Sequence, residues 1–212
     1  MPHNAFDFHA DEYDQWFADN PQLFESELRA LKQLLPQGKK TLEVGIGSGI
    51  FAEQLGITDG IDPSEGMLTL ARQRNLNVRK GVAEHLPYAD ASYDTVVFIT
   101  SICFVEDPVI AMQEAFRVLK TGGVLVLAFL DRQHAFIAAV EAGKQESTFF
   151  RDAQFYSVGD VLVLIEQQGF RVTDIVQTLT NPSAPAPEDP IKGYGQGAFV
   201  VVRAEKLHTI AS

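Results

Sequence analysis

The stretch Thr41-Leu42-Glu43-Val44-Gly45-Ile46-Gly47-Ser48-Gly49 constrains this chain more than any other. An apolar run meets three glycines separated by single residues. Glycine accepts positive φ and leaves the main chain bare, so the turn can bend sharply and a ligand can lie against it. Ile50-Phe51-Ala52-Glu53-Gln54-Leu55 follows and reads as a short helix. The free N–H groups and positive dipole end of that helix face the turn. Strand, glycine turn and helix in this order make the first half of a nucleotide-type site. A purely structural turn would use the same glycines, but the spacing discriminates further. A dinucleotide fingerprint has glycines at relative positions one, three and six. Counted from Gly45, the sixth position is Ile50, and the third glycine falls one residue early, at Gly49.

The rest of the chain alternates strand and helix around this point. Residues 40–44 read as the first strand and 56–61 as a short second one ending at Asp62. Pro63 and Ser64 open a helix with Met67, Leu68 and Ala71 on its inner face. Residues 76–80 alternate apolar and polar, as an edge strand does, and 81–90 form a loop. Residues 95–99 and 124–129 are almost wholly apolar, which suits central parallel strands covered on both faces. Between them, Asp107 and Pro108 open a helix with Val109, Met112, Phe116 and Leu119 buried, and Lys120-Thr121-Gly122-Gly123 closes it. Residues 134–140 are helical, and Ser157 with Asp160 forms a capping box before another helix. Residues 170–176 are a strand, 181–197 one long loop with four prolines and three glycines, and 198–204 the last strand. Such alternation means a right-handed parallel α/β sheet.

Before the first strand, Phe6, Phe8, Tyr13, Trp16 and Phe17 are too aromatic for a disordered tail, so they predict a docked arm with a helix near 10–18. Asn20 and Pro21 then suit the cap and first position of a longer helix striped by Phe24, Leu28, Leu31 and Leu35. At 212 residues, the expectation is one domain, 1–212, with 1–36 a helical arm that acts as a lid.

Composition excludes some functions. The net charge is −11 with only 17 Lys and Arg, which argues against a phosphate-tracking surface and hence against nucleic acid. No apolar run is long enough for a membrane span. Met1-Pro2-His3-Asn4-Ala5-Phe6-Asp7 has neither a basic start nor an apolar stretch, so no signal peptide is expected and the cytoplasm is the default location. The single cysteine, Cys103, forms no intrachain disulfide or cysteine-based metal site and reads as a buried thiol among Ile102, Phe104 and Val105.

Four stations lie at the predicted C-terminal ends of strands, where open α/β sheets bind ligands. They are 43–49, 60–64, 81–88 and 100–105. Together they resemble the class I S-adenosylmethionine (SAM)-dependent methyltransferases (methyltransferase type 11), especially the small-molecule branch that includes quinone-biosynthesis C-methyltransferases. Glu43-x-Gly45-x-Gly47-x-Gly49 resembles motif I of that family, with Ile46 where Cys or Ala is frequent. The likeness covers roughly residues 10–130 well and the final strands more weakly. It implies a Rossmann-like doubly wound seven-stranded sheet of order 3-2-1-4-5-7-6, with the last strand antiparallel. It implies SAM as cofactor and its demethylated form, SAH, as product. Asp62, seventeen residues beyond Gly45, would hold the ribose diol, with Pro63 and Met67 beside it. Val82-Ala83-Glu84-His85-Leu86-Pro87-Tyr88 matches the segment beside adenine, except that the family's aspartate is Val82 here. A backbone contact or Glu84 would have to serve instead. Thr100 and Phe104 follow the fourth strand, and Glu114 to Gly123, EAFRVLKTGG, matches the segment before the fifth. Asp11-Glu12-Tyr13-Asp14-Gln15-Trp16-Phe17 resembles the family's opening, which places Tyr13 at the cofactor.

The reaction itself is less legible. Methyl transfer from a sulfonium needs placement and exclusion of water more than acid–base help, so no catalytic residue is assigned. His9, Tyr13, His85, His134 and Tyr156 are the acceptor-side candidates, and the arm, 131–156 and 181–197 the candidate walls of a small-molecule site. A non-catalytic SAM-binding module, a nicotinamide oxidoreductase, and a nucleic-acid or protein methyltransferase remain as alternatives.

Overall fold

A computed structural model describes residues 5–207. The first four residues of the arm, which also open the segment read for a signal peptide, and the last five of the expected 1–212 domain lie outside the described residues.

The arm is helical. It consists of Ala5–Phe8 (α1), Ala10–Asp19 (α2) and Pro21–Leu34 (α3). Pro21 opens α3 as expected. Asn20 does not cap that helix with its side chain; its Nδ2 donates to the Trp16 carbonyl at 2.8 Å and closes α2 instead. Leu28, Leu31, Leu34 and Leu35 are buried along the inner face of α3 and its end.

Among the described residues, eight strands make one sheet: Thr41–Val44 (β1), Asp59–Asp62 (β2), Asn77–Lys80 (β3), Tyr93–Ile99 (β4), Leu119–Leu130 (β5), Phe170–Thr178 (β6), Ile191–Lys192 (β7) and Phe199–Lys206 (β8). Their order is β3-β2-β1-β4-β5-β8-β6-β7. The first five pair in parallel. β8 lies antiparallel between β5 and β6, and β7 pairs antiparallel with β6. The expected sheet of seven strands, with only the last reversed, is therefore corrected to eight strands with two reversed. The added strand arises inside the segment expected to be one loop. Two exposed residues, paired with Val176 and Gln177, are too short to leave a period in the sequence, and they cover part of the otherwise bare edge of β6.

Helices Ile50–Leu55 (α4), Glu65–Gln73 (α5), Pro108–Val118 (α6), Ala135–Ala142 (α7) and Val158–Gln167 (α8) follow the strands, with α7 and α8 both between β5 and β6. Val96 and Val97 are both fully buried yet belong to opposite layers. Val97 packs with Leu31, Phe51 and Phe199, and Val96 with Leu42, Met112 and Ile165. This two-sided burial is why β4 reads as a continuous apolar run. On α6 the buried face is Ala111, Met112, Ala115 and Val118, so of the expected helix residues Met112 is buried while Val109 and Phe116 are not fully so. The Asp107 side chain accepts from the Val109 and Ile110 N–H groups, and that cap leaves Val109 40% exposed. Leu119 and Lys120 to Gly123, expected to end the helix, belong to β5, where Leu119 pairs with Tyr93.

At α8, Ser157 Oγ accepts from the Asp160 N–H, and Asp160 returns a bond to the Ser157 N–H, as the capping box predicted. Ser157→Ala is expected to destabilise the protein by about 1 kcal/mol in urea denaturation. A loss below about 0.3 kcal/mol would show that the box contributes nothing.

Candidate functional site

The sheet reverses its winding between β1 and β4, so a crevice opens beyond their C-terminal ends. The glycine turn fills its floor. Gly45, Gly47 and Gly49 all have positive φ, at 76°, 55° and 79°. Their surroundings differ. A Cβ on Gly45 would strike the Ser101 side chain, and one on Gly49 would strike Leu76. A Cβ on Gly47 would meet only Met67 Sδ, at 4.0 Å. Two glycines thus serve packing, while Gly47 presents bare backbone to open space. Ile46 turns inward, because a Cβ on Gly60 would collide with it. Its N–H, like that of Gly45, donates to the Ile61 carbonyl.

Asp62 ends β2 and ties three elements together. Oδ2 accepts from the Gly47 N–H at 2.9 Å and Oδ1 from the Ser64 N–H at 2.8 Å. Burial pushes its carboxyl up to about 6, against the pull of those two N–H groups. Pro63 is exposed and Met67 fully buried, its N–H bonded to Ser64 Oγ. Glu43, one residue before the end of β1, is buried, and its Oε2 has no hydrogen-bond partner among the described residues. Burial first, and then Asp62, holds its carboxyl well above the usual range.

The residues expected beside adenine are placed less uniformly. Ala83 is buried and Val82 is 45% exposed. Glu84 Oε1 accepts from the Glu106 and Asp107 N–H groups, at 2.8 and 3.0 Å, so this carboxylate braces the start of α6. Thr100 follows β4 at φ 50°, and Ser101 Oγ donates to the Val44 carbonyl at 2.6 Å. Cys103 is buried and its thiol is pushed up to about 12 by burial, so it is no nucleophile.

The arm lies over this crevice. Asp7 Oδ1 accepts from Ser64 Oγ at 2.7 Å and the Gly66 N–H at 3.1 Å. Asp14 accepts from Ser48 Oγ within the glycine turn and pairs with Arg74 Nη2 at 2.6 Å. Arg74 Nη1 also donates to the Ser48 carbonyl at 3.0 Å. Tyr13 packs edge-on against Phe6, Phe17 and Phe149, and Phe6 meets Phe104. Burial, then Glu27 and Glu43, raises the Tyr13 hydroxyl, with Thr100 acting in the opposite sense. Glu27, Glu43 and Thr100 therefore all act on the Tyr13 hydroxyl. Trp16 is 46% exposed and stacks edge-on with Phe17, on the outer side of the arm.

His9, His85 and His134 do not join this group. His9 binds Glu12, His85 is exposed and His134 caps α7. Tyr156 pairs by its backbone with Asp131 and Arg132. Glu27, Asp7, Asp14, Ser48 and Arg74 were not singled out by the sequence. Glu27 left a usable signal: it lies three residues beyond Phe24 and four before Leu31, a charge set into the apolar stripe. The Asp14–Arg74 pair left none, since its members are separated by sixty positions.

Comparison with known proteins agrees with this geometry. Residues 42–127 match a family described as "Methyltransferase domain". An uncharacterised protein of Methanocaldococcus jannaschii is 37% identical over 205 residues, 96% of this chain and 100% of that one. A crystal structure from Thermotoga maritima, described as a SAM-dependent methyltransferase and possible histamine N-methyltransferase, has a TM-score of 0.92 and 41% identity. The match covers 95% of this chain and 98% of that one. A ubiquinone biosynthesis O-methyltransferase of Hydrogenovibrio crunogenus is 31% identical over 121 residues, 51% of this chain and 50% of that protein.

Burial alone pushes the Glu27 carboxyl from 4.5 up to about 8. The neutral form is the favoured one, so its contribution to stability is complete below about pH 4.5 and is lost as pH rises through about 8. Relative to Glu27→Gln, the wild type is expected to lose up to ~1.4 kcal/mol per pH unit across this window. Parallel stability curves in denaturant titrations would contradict it.

Proposed function

The chain belongs to the class I SAM-dependent methyltransferases, and from that premise we propose that it methylates a small molecule enclosed between the arm and the C-terminal edge of the sheet. The observation that carries this reading is the docked arm. Asp7 and Asp14 fasten it to Ser64, Gly66, Ser48 and Arg74, so the crevice is roofed on the side where a polymer would have to enter. The relative described as a possible histamine N-methyltransferase supports an acceptor of this size. The acidic net charge supports the same reading against nucleic acid.

The residues present fit SAM. Gly47 offers open backbone, Asp62 a carboxylate at the second strand end, and Glu43 an unpartnered carboxyl oxygen beside the turn. We assign the methionine and ribose parts to Glu43, Gly45, Ile46, Gly47, Gly49 and Asp62, the ribose side also to Pro63 and Met67, and the adenine side to Val82, Ala83 and Glu84. In this assignment Ile46 acts through its backbone. Tyr13, Thr100 and Phe104 line the methyl side. The bound cofactor supplies a methyl group already activated by its sulfonium. The chain's part is to place the acceptor in line and keep water out. The arm, residues 1–36, serves as the lid.

Calorimetry with SAM and SAH tests the site. Asp62→Ala is expected to weaken SAM by about 1.5–3 kcal/mol through loss of charge-assisted hydrogen bonds; unchanged affinity would remove Asp62 from the site. Asp14→Ala is expected to weaken SAM by ~1 kcal/mol, because a half-buried ion pair holds the lid. If the affinity stays that of the wild type, the arm is not a lid. Transfer of labelled methyl to small molecules but not to protein or RNA is the expected outcome of an acceptor screen. Transfer only to a polymer would overturn the small-molecule reading.

A further inference from the structure

Glu27 is a buried carboxyl that SAM chemistry leaves over. It is 5% exposed and has no hydrogen bond or ion pair among the described residues. Burying such a group unpaired is costly, and native interiors rarely tolerate it without a purpose. Leu or Met at this place on α3 would continue the apolar stripe at no such cost. Tyr13 packs against the buried layer that contains Leu28 and Leu31, the neighbours of Glu27 on α3, and Glu27 adds to the rise of the tyrosine's ionisation. Around Tyr13, Phe6 lies 6.0 Å and Phe149 5.6 Å away between ring centroids, and Phe6 is 5.4 Å from Phe149 and 5.1 Å from Phe104. Aromatic faces and a carboxylate attract the same thing, a cation with an apolar body. The chain's net charge of −11 draws cations toward it as well.

SAM brings a single net positive charge, because its ammonium and carboxylate offset one another and its sulfonium remains. One carboxyl, Glu43 beside the glycine turn with its unpartnered oxygen, answers that charge and leaves Glu27 over. Resting on the small-molecule reading above, we propose that the methyl acceptor is a small primary or secondary amine with an apolar or aromatic body, and that Glu27 anchors its nitrogen and takes the proton that the nitrogen must lose.

The chemistry balances. An ammonium meeting the Glu27 carboxylate, or a free amine meeting the protonated carboxyl, gives the same pair. With the proton on Glu27, the nitrogen lone pair forms the N–C bond as the C–S bond breaks, its electrons staying on sulfur. The products are a methylated ammonium and neutral SAH, and Glu27 later releases its proton to solvent. A carboxyl held near 8 is matched to exchanging a proton with an amine.

The test uses the full chain, trideuteromethyl-SAM, and a mixture of primary and secondary alkyl- and arylamines. The phenols, alcohols and carboxylic acids of the same skeletons are included, with mass spectrometry to locate the label. The label is expected on nitrogen. Glu27→Gln, checked for folding by its thermal transition, is expected to lower kcat/KM for the labelled amine about a hundredfold, mainly through KM. Its SAH affinity by calorimetry is expected to stay within about twofold of wild type. Label on oxygen or carbon would overturn the amine assignment while leaving the small-molecule reading intact. No labelled small molecule would overturn both. A Glu27→Gln variant that methylates the amine normally, or that loses SAH affinity as much as amine affinity, would overturn the role of Glu27.

Discussion

Everything at this site depends on one carboxylate, that of Asp62, accepting the N–H groups of Gly47 and Ser64. The two bonds join the glycine turn after β1 to the end of β2 and the start of α5. They hold Gly47 at positive φ with its open face toward the crevice. They also use up acceptor capacity, so a ligand hydroxyl must share an oxygen or displace a backbone donor. Burial opposes the charge while the two donors favour it, and burial prevails, leaving the carboxyl near 6. A cofactor that donates hydrogen bonds to it would shift that balance toward the ionised form.

The second organising feature is acidity under a roof. Glu27 and Glu43 are both buried, both raised by burial, and both influence Tyr13 on the arm. The arm pays for its own docking elsewhere, through Asp7 on Ser64 and Gly66, and Asp14 on Ser48 and Arg74. Arm and glycine turn are thus physically one unit, since Ser48 belongs to the glycine turn and Ser64 to the Asp62 corner. Whatever moves the turn also moves the arm.

Much of this was legible in the sequence because it is local. Residues 50–55 fold as the helix expected, Ser64 caps α5, and Met67, Leu68 and Ala71 face inward as their spacing requires. The parallel order of the first five strands follows from the alternation and the resemblance together. What stayed hidden is short or non-local. β7 has two residues and exists because β6 offers an edge. Asp107 caps α6 where the sequence puts the start, and Met112 is buried as expected, but Ala111 and Ala115 pack inward where Val109 and Phe116 were expected, because small alanines carry little apolar signal. Glu84 braces α6 instead of standing free, which no spacing rule reveals. The Asp14–Arg74–Ser48 cluster joins three distant segments and has no signature at all, whereas Glu27, a charge within an apolar stripe, had one.

Under the proposed lid role, turn and arm close over the cofactor together. Amide hydrogen exchange with and without SAH measures this most directly, because it reads both segments in one sample. Slower exchange on adding SAH is expected in residues 45–49 and 62–64 and, in the same titration, in residues 10–19. Slowing confined to the turn, with residues 10–19 unchanged at saturation, would contradict it.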